Sequence, residues 1–249
     1  MRMAENLYSL FDTTVETHWW FVGRRKIVIS LVKQIIGTLN CPRIVDIGCG
    51  AGATLKQLED LGAATGVDIS SSAVSYCRHR GCRRVCRVEE EALPFGDNKI
   101  SLIVSLDVLE HIDQEYRHLR EYHRILKDDG KLLMTVPALP WLWSSHDRAN
   151  RHRRRYTRNH LKTLLERESW QIERLTYCCT FLFPLIMVIR LISKLVNKSI
   201  KSYNADWNFK IPGLGINWIF SRIFAAEAFW LARWRLPIGS SLLVVCRKR

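Results

Sequence analysis

Short apolar runs recur along this chain: RIVDI (43–47), ATGVDI (64–69), RRVCRV (83–88), ISLIVSL (100–106) and GKLLMTV (130–136). Between most of them lie stretches with the three-to-four-residue spacing of an amphipathic helix, such as ATLKQLEDLG (53–62) and YRHLREYHRIL (116–126). This alternation predicts a doubly wound α/β architecture, Rossmann-like, around a parallel sheet. WQIERLTY (170–177) and SSLLVVCRK (240–248) read as two further strands. Residues 178–239 between them contain two helical patterns rich in aromatic and branched apolar groups, expected to form an insertion on the far edge of the sheet. Residues 1–40 read as an N-terminal helical cap, and 1–249 as a single domain.

The first of these runs leads into GCGAGATLKQL, where Gly48, Gly50 and Gly52 alternate with Cys49 and Ala51 ahead of a helix. Glycines there let the backbone turn sharply and approach a ligand at the helix N-terminus, which favours a nucleotide. Asp68, about twenty residues on at the end of the next run, stands where a carboxylate holds ribose hydroxyls. The loose dinucleotide fingerprint is also satisfied, so NAD competes. Asp46 argues against it. A carboxylate beside the turn repels a pyrophosphate and attracts an ammonium or sulfonium.

VDIGCGAG, GVDIS, EEEALPFGDNKISLIVSLDVLEHI and RILKDDGKLLMTVP resemble, in order and spacing, the successive motifs of class I S-adenosylmethionine-dependent methyltransferases. The resemblance covers residues 43–137 and implies a seven-stranded sheet ordered 3-2-1-4-5-7-6 with strand 7 antiparallel and the insertion between strands 6 and 7. It implies S-adenosyl-L-methionine as cofactor. Asp46 and the Gly48–Cys49–Gly50–Gly52 turn would line its methionine end, Asp68 would bind the ribose, Ile69 would pack on adenine, and Leu106 and Asp107 would border the sulfonium. Where the family usually places an aspartate against the adenine amino group, this chain offers Glu89, Glu90 and Glu91. HWWFVGRRKI, HRRRYT and LPIGSSLLVV resemble a bacterial branch associated with lipid or glycan assembly. The HWWF segment is expected to close over the cofactor, with Arg24 meeting the methionine carboxylate.

Methyl transfer needs positioning, and a base if the acceptor is a hydroxyl. His111 after strand four, and the group His146, Asp147 and His152 after strand five, are the candidates, placed where such sheets seat their substrates. Asp107, Glu110 and His111, at i, i+3 and i+4, would share one helical face, and a divalent metal on them is a second reading. The expected reaction is O-methylation of a small-molecule, lipid-linked or glycan acceptor. An RNA acceptor is the alternative, and a non-catalytic nucleotide-binding protein a third.

Charge sharpens the question of partners. A formal net charge of +14 points to an acidic partner: nucleic acid, an anionic membrane surface or a phosphate-bearing substrate. Arg148, Arg151, Arg153, Arg154, Arg155 and Arg158 are dense enough to suit phosphate contacts. The eight cysteines show no C-x-x-C spacing, so reduced thiols are expected. The first thirty residues lack the pattern of a signal peptide, which predicts a cytoplasmic protein. From 175 to 189 only fifteen residues run without a charge, interrupted by Pro184, too few to span a bilayer. A helical projection sets Arg190, Lys194, Lys198 and Lys201 opposite Leu182, Ile186, Ile189 and Val196, the division of an interfacial helix. Trp218, Trp230 and Trp234 would sit at the headgroups of the inner membrane face.

Overall fold

A computed structural model describes residues 14–37, 39, 41–89, 92–196 and 212–249. Seven strands form one sheet: β1 (Arg43–Ile47), β2 (Ala63–Asp68), β3 (Val85–Arg87), β4 (Ile100–Leu106), β5 (Leu126–Pro137), β6 (Trp170–Cys178) and β7 (Ser241–Lys248). Their order is β3-β2-β1-β4-β5-β7-β6. The pairs from β3 to β5 are parallel, and β7 runs antiparallel to both β5 and β6, as expected.

The period-two pattern splits the strands between two faces. On β4, Leu102, Val104 and Leu106 point into one apolar layer and Ile103 into the other. The layer around Ile103 is closed by α4 (Glu115–Ile125), whose Leu119, Tyr122 and Ile125 are fully buried, and by α6 (Arg158–Arg167) through Leu161 and Leu165. Each such side chain withdrawn from water stabilises the fold by roughly 1.5–3 kcal/mol.

The opposite face is covered by α1 (Trp19–Ile36), through Ile27, Val28, Leu31 and Val32. The insertion supplies α7 (Phe183–Val196) and α8 (Leu214–Arg233). It does not hang on the outer edge as the sequence suggested: α8 packs along α1. Trp20 stacks on Phe224 with centroids 5.1 Å apart, and the Trp19 backbone N–H donates to Asn217 Oδ1 at 2.8 Å. The crossing is close, because a Cβ on Gly23 would lie 2.6 Å from the Phe224 ring. The apolar faces of α1 and α8 find each other because the sheet leaves that layer otherwise open.

Of the projected polar stripe on α7, Arg190 departs from the projection. Arg190 turns inward onto the Leu142 carbonyl and Asp147, while Leu182 is buried and Ile186 packs on the core. Leu185, Val188, Ile189, Leu191 and Ile192 are left exposed. Lys198 and Lys201 lie outside the described residues. An arginine able to reach a buried carboxylate outweighs a solvated position on the helix. Among the described residues, no helix is long and apolar enough to cross a membrane.

Candidate active site

Both halves of the site lie at the carboxyl ends of the central strands. At the end of β1 the chain turns through Gly48, Gly50 and Gly52, with φ of 67°, 54° and 82°, the left-handed region glycine tolerates best. The Gly48 and Cys49 N–H groups both donate to the Val67 carbonyl, tying the turn to β2. At Gly48 a Cβ would lie 2.5 Å from a Val108 methyl, so the turn has no room for a side chain there. α2 (Ala53–Leu58) follows.

Beneath this turn Asp46 is only 2% exposed, and its Oδ2 has no hydrogen-bond partner. Burial pushes its pKa up to about 7; neighbouring Asp68 adds to the rise, and Arg24 opposes it. Asp68 ends β2 and accepts from the Gly50 N–H at 3.0 Å and the Ser70 N–H at 2.9 Å. Burial raises its pKa against those donors. Ser70 caps α3 (Ser71–His79) and so fixes the chain leaving Asp68. Ile69 is half-buried beside it, its carbonyl accepting from Arg87. Leu106 is buried at the tip of β4, and Glu89 is exposed, bridged to Ala92. Glu90 and Glu91 lie outside the described residues.

The HWWF segment divides its contacts. Phe21 packs with Val15 against Ala51 and Ala53 of the turn, as a covering element would, while Trp19 and Trp20 pack on α8. Arg24 pairs with Asp107, which occupies the guanidinium expected to face a ligand carboxylate. Asp107 itself is left-handed, with φ of 56°, and accepts from Thr135 Oγ1 at 3.1 Å.

The acceptor side is assembled by one reach across the sequence. The Arg153 N–H donates to the Glu110 carbonyl and the Arg153 Nε to the His111 carbonyl, both at 2.9 Å. This joins the loop after β5 to the 3-10 turn Leu109–His111. His111 and His152 thereby meet with ring centroids 5.0 Å apart, and His146 lies 6.3 Å from His152. The three sequence-predicted histidines share one site. The trio Asp107, Glu110 and His111 does not: the turn is 3-10, Asp107 precedes it in a left-handed conformation, and the cluster of ligand-type side chains is Glu110, His111 and His152.

Burial, followed by the neighbouring His152, holds the His111 pKa at about 4, so its imidazole is neutral in ordinary buffers. Glu110 is fully buried with neither carboxylate oxygen hydrogen-bonded, and burial, then Asp107, holds its pKa well above the carboxylate range. His152 Nδ1 lies 3.1 Å from Asp147 Oδ1. Asp147, on α5 (Ser145–Ala149) and grouped with His146 and His152 in the sequence, is a node: it also receives Arg155 Nε at 2.7 Å and Arg190 Nη1 at 3.3 Å. Burial alone would raise its pKa, but His152 and the two arginines reverse this and hold it below the carboxylate range.

The basic run is largely consumed internally. Arg153 pairs with Asp113, Arg154 with Glu115 and Arg155 with Asp147, while Arg148 and Arg151 are exposed.

A seven-stranded sheet in this order, with a glycine turn and an acidic residue at the tips of β1 and β2, defines a Rossmann-like fold. Residues 45–134 match the family model described as a methyltransferase domain. The chain is 34% identical over 113 residues to "Probable tRNA methyltransferase 9B" of Homo sapiens, covering 44% of this chain and 23% of that one. It is 24% identical over 109 residues to a ubiquinone biosynthesis O-methyltransferase of Bordetella avium, covering 41% and 45%. The chain thus spans less than half the length of these curated relatives. Its fold is similar to that of an S-adenosylmethionine-dependent methyltransferase from Mesorhizobium loti, with a TM-score of 0.58 at 16% identity over 88% of this chain and 96% of that one.

Proposed function

We propose that the protein transfers a methyl group from S-adenosylmethionine to a hydroxyl of a lipid-linked, glycan or small-molecule acceptor at an anionic bilayer surface. The observation that carries the cofactor half is Asp46, a buried carboxylate with an unpartnered oxygen under a side-chain-free turn, which suits a cationic nucleoside and not a pyrophosphate. When bound, the cofactor supplies a methyl on a sulfonium. Asp46 and the Gly48–Gly52 turn hold the charged amino-acid end. Asp68, oriented by its two backbone donors, has lone pairs left for ribose hydroxyls, Ile69 offers an apolar face to the base, and Glu89 or Glu90 meets the amino group. Arg24 fixes Asp107 at the strand tip. His111 and His152 line the acceptor side, where a hydroxyl gives up its proton.

The lipid-linked reading draws on the insertion. Ile189 and Ile192 on α7, and Trp218 and Phe229 on α8, are each more than half exposed, apolar side chains of the kind that a bilayer surface takes up. Arg222 lies over the Trp218 ring and Arg233 over Phe229, the pairing expected where aromatic rings meet headgroups. An RNA acceptor is less favoured by the site, because Arg153, Arg154 and Arg155 are already matched to carboxylates.

The test incubates the full chain with methyl-labelled cofactor and separate lipid, glycan, RNA and metabolite extracts. Label in the lipid or glycan fraction is expected, and label confined to RNA would overturn the acceptor reading. Calorimetry should show adenosylmethionine binding, weakened by roughly 1–3 kcal/mol in Asp68→Ala.

A further inference from the structure

Glu110 poses a problem that the methyl-transfer scheme leaves unsolved. Its carboxylate is fully buried, neither oxygen accepts a hydrogen bond, and the nearest imidazole nitrogen, His152 Nε2, is 3.8 Å away, beyond hydrogen-bonding reach. A buried, unpartnered carboxylate is costly as an anion, so it calls for a cation of its own. The guanidiniums whose fields reach it, Arg24 and Arg155, are paired with Asp107 and Asp147.

We propose that Glu110, His111 and His152 bind a divalent first-row transition ion, zinc(II) by preference of the donor set. One ligand atom from each residue lies within 4.8 Å of the others. Ligands around a tetrahedral zinc stand about 3.4 Å apart, so a small closing movement brings the three onto one ion. Two imidazoles and one carboxylate are the borderline donors such an ion selects, whereas magnesium and calcium favour oxygen.

The surroundings fit independently. The Asp147 carboxylate against His152 Nδ1 fixes the tautomer that turns Nε2 toward Glu110, the carboxylate–histidine arrangement that orients metal-bound imidazoles. Asp147 is itself pinned by Arg155 and the N–H of Ser144. His111 bonds to the backbone of Arg151, which orients its ring as well. Three protein ligands leave a position open toward the acceptor side, where an oxygen of the substrate could bind. That use rests on the proposed methyl transfer; the ion site itself does not.

The test uses the full chain stripped with chelator, then titrated with zinc(II) and cobalt(II). The expected results are one zinc per chain by calorimetry and visible d–d bands from cobalt without intense near-ultraviolet thiolate absorption. Glu110→Gln and His152→Ala should each lower zinc affinity at least tenfold. Glu110→Gln guards against simple unfolding: in the metal-free protein it should melt close to the wild-type temperature, since an amide of the same shape replaces a side chain that makes no hydrogen bond, while losing the rise in melting temperature that zinc gives the wild type. Thiolate bands, equal zinc affinity in Glu110→Gln and wild type, or magnesium binding in place of zinc would overturn the assignment. Adenosylmethionine calorimetry on the same samples reports separately on the methyltransferase reading.

Discussion

Asp46 shows what a single residue contributes when its environment is wrong for it. In the folded chain its pKa sits at about 7, against 3.8 for the free group. The native state therefore keeps a proton that the unfolded chain gives up. Stability from this group is complete below about pH 4 and is lost as pH rises through 7. Three units at 1.36 kcal/mol each set a ceiling of about 4 kcal/mol. In the absence of cofactor, Asp46→Asn should thus be more stable than wild type at pH 8 by about 2–4 kcal/mol and nearly equal at pH 4, read from urea midpoints. The same variant should bind adenosylmethionine at least tenfold more weakly. Parallel pH profiles for the two proteins would refute this. Asp46 and Asp68 were legible in the sequence because one stands two residues before the glycine turn and the other at a strand end, where backbone position alone dictates direction. Asp107 was misread as helical, because nothing in DVLEH announces a left-handed residue at its first position. The meeting of His152 with Glu110 depends on backbone bonds across more than forty residues, which no local pattern carries.

Among the elements, the α1–α8 seam is the one most open to test. Phe224 is 1% exposed and lies between Trp19, Trp20 and the Gly23 backbone. Phe224→Ala should cost about 3–5 kcal/mol by leaving a cavity at the crossing. Gly23→Val should also destabilise, by forcing the helices apart, and denaturant titration measures both. A loss below 1 kcal/mol in Phe224→Ala would mean the insertion is not part of the cooperative core. All seven strands could be read from short apolar or alternating runs, most plainly the central ones, since a strand buried on both faces has few other ways to satisfy its pattern. The seat of the insertion could not. Periodicity says which side of α8 is apolar, and only the uncovered face of the sheet says what that side meets.

For the molecule as a whole, the outward face of α7 and α8 combines with a net charge of +14. Flotation with liposomes containing anionic lipid should recover the protein at low salt, less at high salt, and little with neutral lipid. Replacing Ile189 and Ile192 together with aspartate should abolish recovery while leaving adenosylmethionine affinity within twofold. Equal flotation of that double variant would place the contact elsewhere. The sequence predicts an interfacial helix with Arg190 on its solvated side; the structure turns Arg190 inward, because a projection has no knowledge of the carboxylate that waits for it.

That same arginine has a consequence for how such a chain can change. Asp147 gathers His152, Arg155 and Arg190 from two loop positions and a helix of the insertion. Removing one partner of a buried pair leaves the other uncompensated, at a cost of about 3–5 kcal/mol. A graft that exchanges α7 for a helix suited to another acceptor must therefore bring its own cation to the same spot, or lose the posture of His152. The glycine turn, tied instead to the Val67 carbonyl of β2, can be inherited unaltered. Under the proposed methyl transfer, the insertion and the posture of His152 would change together, and the arginine is what joins them.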